Sequence, residues 1–278
     1  MKPSLSVVVP AYNEEGNIVK CLENLDKYFR KSGFDYEIIV VNDGSKDKTG
    51  QLIKGLLKKV KNLRLIEHSP NRGYGGSLKA GFYAAKKNLI VMAHSDNQFD
   101  IGQLPELIDK LNHSGADMVS GVRENDHDPI HRRIIRWLWN TGIRALFGYL
   151  ATDIDCGFKI FKREVLQKVN IPSDGAMIDT QFLAGMRARN MKIVEIPVIH
   201  LPRVAGQSTG GNPKVIIKAI RELIIFWWRL KNELMVERGL AVFRWEATLM
   251  ALILLIAGIS RMYKIDQYMT FLGDEGRD

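Results

Sequence analysis

The chain has 278 residues, of which 46% are hydrophobic, 26% charged and 9% aromatic, a composition that excludes wholesale disorder and fibrous repeats. Its 40 Lys and Arg against 31 Asp and Glu leave a net charge of +9, which favours phosphate-bearing partners without choosing among nucleotides, lipid head groups and nucleic acid. Cys21 and Cys156 are too few and too far apart for a zinc cluster or a disulfide framework. The one N-terminal apolar run, Leu5 to Val9, is broken by Pro10, so no cleavable signal peptide is expected.

In chain order, the β-branched run Val7 to Val9 predicts a strand, and Ile18, Cys21, Leu22, Leu25 and Phe29 recur at helical spacing after it. Tyr36 to Val41 predicts a second buried strand, followed by a helix through Leu52, Ile53, Leu56, Leu57 and Val60. Leu63 to Glu67 and Leu89 to Ala93 read as two more strands, with the Gly-rich Asn71 to Gly76 opening the helix between them. Met118 to Val122 is a further strand, Glu124 to Arg133 a mobile surface loop, and 132–147 an Arg- and Trp-rich helix. A strand near Gly157 to Phe161, a helix near Asp179 to Arg189, a strand near Ile193 to Val198 and a flexible loop from Arg203 to Pro213 complete the expected core. Strands alternating with helices predict an α/β fold: a Rossmann-like, mostly parallel sheet with helices on both faces. Ligands of such sheets bind at the carboxyl ends of the strands.

The C-terminal quarter differs in character. Val215, Ile216, Ala219, Ile220, Leu223, Phe226, Trp227 and Leu230 make an apolar face, and Lys214, Lys218, Arg221, Arg229 and Lys231 make a basic one, the pattern of a helix lying in a membrane interface. Ala247 to Ser260 contains no charge, and Trp245 and Tyr263 with snorkelling Arg244 and Arg261 extend it toward spanning length. The expected organisation is an α/β core over 1–212, an amphipathic interfacial helix or linker over 213–240, and a transmembrane helix with the start of a membrane domain over 241–278. Basic residues crowd the side before the span, which places the core on the cytoplasmic face of the membrane.

Three acidic turns follow predicted strands: Pro10-Ala11-Tyr12-Asn13-Glu14, Asn42-Asp43-Gly44-Ser45 and Ser95-Asp96-Asn97-Gln98. Carboxylates gathered on one sheet edge can hold a ribose or base by hydrogen bonds and a divalent cation that neutralises a diphosphate. Nucleic-acid binding fits the net charge but leaves these turns unexplained.

With VVVPAYNEE, VVNDGSKDKT, NRGYGGSLKAG, HSDNQFD, TDIDCGFKIFKREV and RVAGQS in this order, residues 4–210 resemble the inverting family 2 glycosyltransferases of the GT-A fold, especially the branch that loads sugars onto polyprenyl phosphate. The resemblance implies a nucleotide-diphosphate sugar donor, UDP- or GDP-linked, a dolichyl or undecaprenyl phosphate acceptor, and Mg2+ or Mn2+. It implies a nucleotide pocket of Pro10, Tyr12, Glu14 and Asp43, metal ligation by Asp96 and Gln98, and catalytic roles for Asp96, Asp153 and the diphosphate-gripping Arg203. Arg123, Arg133, Asp179, Gln181 and Ser208 match acceptor-binding positions, with Arg132 and Arg136 nearby. His94 stands where the family has its first acid, and Gln181 also replaces an acid. Asp155 competes with Asp153, because two positions apart on a strand share a face. Arg261-Met262-Tyr263 and Phe271-Leu272-Gly273-Asp274-Glu275 resemble the start of a multispanning GT-C protein mannosyltransferase, so a longer fused protein is expected. Transfer to a glycan or protein acceptor, or a non-catalytic nucleotide-binding scaffold, are the alternatives.

Overall fold

A computed structural model describes residues 3–124, 130–175, 177–201 and 213–237. Seven strands form one sheet in the order β3-β2-β1-β4-β6-β5-β7. They are β1 (Ser4–Ala11), β2 (Asp35–Asn42), β3 (Leu63–Glu67), β4 (Leu89–Met92), β5 (Met118–Glu124), β6 (Lys159–Lys162) and β7 (Ile193–Ile199). β1, β2, β3 and β4 pair in parallel, as do β5 and β7, while β6 runs antiparallel between β4 and β5. The expected α/β class and mostly parallel sheet are therefore present. β1 and β2 are buried along nearly their whole length, which accounts for their unbroken apolar runs.

The helices are α1 (Ile18–Ser32), α2 (Thr49–Leu56), α3 (Gly73–Ala84), α4 (Leu104–Ser114), α5 (Ile130–Phe147), α6 (Val165–Lys168), α7 (Ile178–Ala188) and α8 (Pro213–Glu237). α1 buries the stripe Ile18, Cys21, Leu22, Leu25 and Phe29 and stops at Gly33, whose φ of 66° needs a residue without Cβ strain. α4 follows a short 3-10 turn, Ile101–Gln103, and buries Leu104, Leu107, Ile108 and Leu111.

Four features correct the sequence reading. α2 ends at Leu56, and Leu57 to Val60 form a turn. The expected loop from Glu124 to Arg133 is wrong at both ends: Glu124 closes β5, and helix α5 already begins at Ile130. Neither α4 nor the single turn of α6 is anticipated. The strand expected from Gly157 begins two residues later, at Lys159.

By internal contacts the chain divides within α8, into Met1–Trp227 and Trp228–Asp278. The sheet lies in the first unit. There, Trp227 Nε1 donates to the Leu146 carbonyl at 2.8 Å and the Phe147 and Phe226 rings lie 5.7 Å apart, joining the end of α5 to the first part of α8. Among the described residues no helix is long and apolar enough to cross a membrane. The transmembrane helix expected over 241–278 lies outside the described residues, as do Arg203 and Ser208 and the side chain of Arg133.

Candidate active site

The loops leaving β1 and β2 are knitted together by backbone donors meeting polar side chains. Asn13 N donates to Ser45 Oγ at 3.0 Å, Lys46 N to Asn13 Oδ1 at 2.8 Å, and Glu14 N to Thr49 Oγ1 at 2.8 Å. This holds Pro10 and Glu14 at the carboxyl edge of the sheet and leaves the Tyr12 ring exposed. Glu14 accepts from Asn17 Nδ2 at 2.7 Å, and the Asn17 carbonyl accepts from Asn97 Nδ2 at 3.3 Å, so the first acidic turn is tied to the one after β4. Cys21 reports the same convergence. Burial, then the charges of Asp96 and Glu14, push its thiol up to about 12, so it is an inert neighbour of the site.

Asp43, expected in the nucleotide pocket, follows β2 and is firmly held there. Its buried carboxylate accepts from the backbone N–H of Arg72 at 2.9 Å and of Gly73 at 2.8 Å, and its Oδ1 lies 2.7 Å from His68 Nδ1. These partners commit it to fixing the N-terminus of α3. The glycines there serve close packing rather than a phosphate: a Cβ on Gly75 would lie 2.5 Å from the Gly175 carbonyl oxygen, and Gly76 N donates to the Asp174 carbonyl at 3.0 Å.

After β4, Asp96 is buried and accepts from Gln98 N at 3.2 Å. The Gln98 amide nitrogen donates to the Leu201 carbonyl at 3.2 Å, which fixes this turn to the chain leaving β7. His94 points elsewhere. Its Nε2 lies 3.0 Å from the Tyr74 hydroxyl, and its ring packs edge-on against Tyr74 and Phe99. Burial lowers its pKa against the opposing pull of Asp96 and Asp179, which favours the neutral imidazole. A Cβ on Gly157 would meet His94 Nε2 at 2.1 Å. Gly157→Ala should therefore destabilise the protein by roughly 1–3 kcal/mol, with most of the loss recovered in the Gly157→Ala/His94→Ala double variant, as read by denaturant unfolding.

Because β6 runs against its neighbours, the segment entering it lies at the same edge as the segments leaving β4 and β5. Asp153 is held there by Arg123 from the end of β5: Nε to Oδ2 and Nη2 to Oδ1, both 2.7 Å. Burial works to raise the Asp153 pKa, but the bonds and charge of Arg123 outweigh it and keep the carboxylate ionised. The two residues expected to meet the acceptor separately thus form one bidentate pair.

Lys159, fully buried at the start of β6, donates to Asp179 Oδ1 at 2.7 Å, to the Ile154 carbonyl at 3.0 Å and to the Cys156 carbonyl. Its three protons are thereby satisfied. Asp179 and Gln181 were expected at the acceptor. Both are buried in α7, Asp179 paired with Lys159 and Gln181 Oε1 accepting from Ser173 N at 2.9 Å.

Asp155 stands out. Its neighbours Asp153, Ile154, Cys156 and Gly157 are buried while it is open to solvent. Protein packed around it, then the charge of Asp179, push its carboxyl from 3.8 up to about 6 against the pull of Lys159. Since the folded-state pKa is raised, the native state holds more protons than the unfolded chain between pH 3.8 and about 6, and stability falls as pH rises through that window. Asp155→Asn should flatten this part of the pH–stability curve, an effect reduced by solvent screening and visible in melts at pH 4.5 and 7 by its sign. Half-buried Tyr74 completes the constellation: desolvation, followed by the charges of Asp179 and Asp155, raises its pKa well above 10.0. Lys159 and Tyr74 escape the sequence reading, the first because a lysine inside an apolar strand breaks no period, the second because it is lodged among turn glycines.

The family model for glycosyl transferase family 2 matches residues 6–169. The chain is 31% identical over 211 residues to a dolichyl-phosphate beta-glucosyltransferase of Trichomonas vaginalis, covering 70% of this chain and 64% of that protein. It is 30% identical over 215 residues to an undecaprenyl-phosphate 4-deoxy-4-formamido-L-arabinose transferase of Klebsiella pneumoniae, covering 76% of this chain and again 64% of the relative. It thus spans a little under two thirds of either protein. Glucosyl-3-phosphoglycerate synthase from Mycobacterium tuberculosis, solved with UDP, superposes with a TM-score of 0.63 at 18% identity over 81% of this chain and 80% of that one. The same synthase, solved with Mn2+, UDP-glucose and phosphoglyceric acid, gives a TM-score of 0.58 at 17% identity over 86% of this chain and 81% of that one. These likenesses establish the GT-A-like fold, and the sequence matches place the chain in glycosyl transferase family 2.

Proposed function

We propose that the protein is an inverting glycosyltransferase that moves a sugar from a nucleotide-diphosphate sugar to a polyprenyl phosphate at the cytoplasmic membrane face. The observation that carries this reading is the convergence of Glu14, Asp96, Asp155 and the Arg123–Asp153 pair on one sheet edge, from segments leaving β1, β4 and β5 and entering β6. The relatives named for dolichyl and undecaprenyl phosphates support the acceptor class.

Tyr12 offers an exposed ring for the base, and Glu14 a carboxylate for the ribose. Asp96, with the carbonyl oxygen of Gln98, gives hard oxygen donors suited to Mg2+ or Mn2+ that takes its other ligands from the donor diphosphate. Bound there, the cation would neutralise charge on the departing diphosphate. Among the described residues no three acidic, His or Cys side chains could hold an ion unaided, consistent with binding that depends on the donor. The lipid phosphate is ionised at neutral pH, so its oxygen attacks the anomeric carbon without a general base. The new C–O bond forms as the bond to the diphosphate breaks. Asp153 holds Arg123 in place, and Arg123 orients the acceptor phosphate. From the family resemblance, Arg203 is assigned to the diphosphate and Arg133 and Ser208 to the acceptor.

The membrane assignment draws support from the exposed Trp137 and Leu146 on α5 and Ile224 and Ile225 on α8, interspersed with exposed Arg144 and Arg221. Trp137→Glu combined with Ile224→Glu should weaken sedimentation with anionic vesicles severalfold while circular dichroism is unchanged. Equal sedimentation of variant and wild type would exclude this face from the membrane contact. The reaction itself is tested with a panel of radiolabelled nucleotide sugars and membrane lipid extract, followed by chromatography of the organic phase. Label in a lipid-soluble product supports the reading; label only in water-soluble glycan or protein selects another acceptor, and nucleotide binding without transfer selects a scaffold.

A further inference from the structure

We propose that Tyr74 is a positioning residue for the transfer reaction: its hydroxyl, bonded to His94, fixes the turn that carries Asp96 and so sets how tightly the cation is held. The inference rests on the cation role given to Asp96 above.

The turn leaving β4 is pinned on both sides of Asp96. Downstream, Asn97, in the left-handed region at a φ of 59°, donates from Nδ2 to the Asn17 carbonyl at 3.3 Å, and the Gln98 amide nitrogen donates to the Leu201 carbonyl at 3.2 Å. Upstream, the anchor is His94. Its carbonyl accepts from Cys21 Sγ at 3.6 Å, a weak bond, and its Nε2 lies 3.0 Å from the Tyr74 hydroxyl. The rings of Tyr74 and Phe99 meet the imidazole edge-on, each with centroids 5.8 Å away, and Gly157 lies against it. Packing decides where the imidazole sits, whereas a hydrogen bond is directional and decides how it is turned. The residue that supplies this bond comes from another element. Tyr74 stands in the first turn of α3, beside Arg72 and Gly73, whose backbone N–H groups donate to Asp43. One side chain thus joins the α3 terminus that Asp43 holds to the turn that carries Asp96.

The bond also suits its surroundings. Desolvation and then the charge of Asp179 keep Tyr74 protonated, and burial favours the neutral imidazole. A bond between neutral partners steadies the turn without placing a further charge beside Asp96. With a histidine where the family resemblance expects the first acid, the hold on a cation depends the more on the placement of Asp96, and a small displacement of an oxygen ligand is felt directly in affinity.

The test measures Mn2+ affinity by electron paramagnetic resonance of the free ion, in the full chain saturated with whichever of UDP and GDP the wild type binds. Tyr74→Phe keeps the ring and removes the hydroxyl. It should weaken Mn2+ about three- to tenfold, the worth of one hydrogen bond, while nucleotide affinity without the cation and the thermal melt stay near wild type. His94→Gln, whose amide can still meet the hydroxyl, should retain more Mn2+ affinity than His94→Ala, and in the His94→Ala background Tyr74→Phe should have no further effect. Unchanged Mn2+ affinity in Tyr74→Phe overturns the proposal even where stability falls, as does a fully additive loss in the double variant. A wild-type protein that binds nucleotide but no Mn2+ refutes the cation assignment to Asp96, and this proposal with it.

Discussion

Asp96→Ala should reduce sugar transfer roughly a hundred- to a thousandfold, because several kcal/mol of charge stabilisation at the departing diphosphate are lost and each ~1.4 kcal/mol is tenfold in rate. Its effect on folding should be small. Asp96 is buried near other acids, and with Asp155 and Asp179 it helps to raise the pKa of Tyr74. The contact with the Gln98 N–H that the substitution removes is worth about 1 kcal/mol. The expected result is a melting temperature within a few degrees of wild type beside nearly absent turnover. Unchanged turnover would remove Asp96 from the machinery, and a collapsed melting temperature would make its role structural.

Lys159→Met should show the reverse pattern, a large loss of stability. The substitution strands Asp179 as a buried carboxylate without its cation and leaves the Ile154 and Cys156 carbonyls without a donor. Breaking one side of a buried ion pair costs about 3–5 kcal/mol. The partner substitution identifies the cause: Lys159→Met/Asp179→Asn should regain roughly 1–2 kcal/mol over the single variant, since the unpaired charge is gone. Chemical denaturation of the wild type and both variants measures this, and a double variant no more stable than Lys159→Met would exclude the unpaired charge as the source.

The Lys159–Asp179 and Arg123–Asp153 pairs also mark where the sequence stops being informative. Buried parallel strands such as Tyr36 to Val41 declare themselves through β-branched runs, and α1 through its 3- and 4-residue apolar spacing. The direction of β6 does not, because an apolar run reads the same in a parallel or an antiparallel strand. α4 has a helical stripe in Leu104, Leu107, Ile108 and Leu111, with Pro105 in its first turn, so its signal was present in the sequence. The acidic turns after β1 and β4 are legible as site candidates through their position alone. Which acid faces the ligand is not, since it depends on partners far along the chain: Arg123 takes Asp153 from 30 residues away, Lys159 takes Asp179 from 20, and backbone N–H groups claim Asp43 from 29 and 30. The family pattern directs attention to Asp153, which Arg123 holds, whereas Asp155 beside it is open to solvent.

The reversed β6 has a geometric result for α5. A crossover between parallel strands must travel the length of the sheet to begin again at its far side, but the excursion from β5 to β6 departs from and returns to one rim. Its helix need not shield the sheet at all. A segment bearing Trp137 can therefore stay beside the rim at which Arg123 and Asp153 meet.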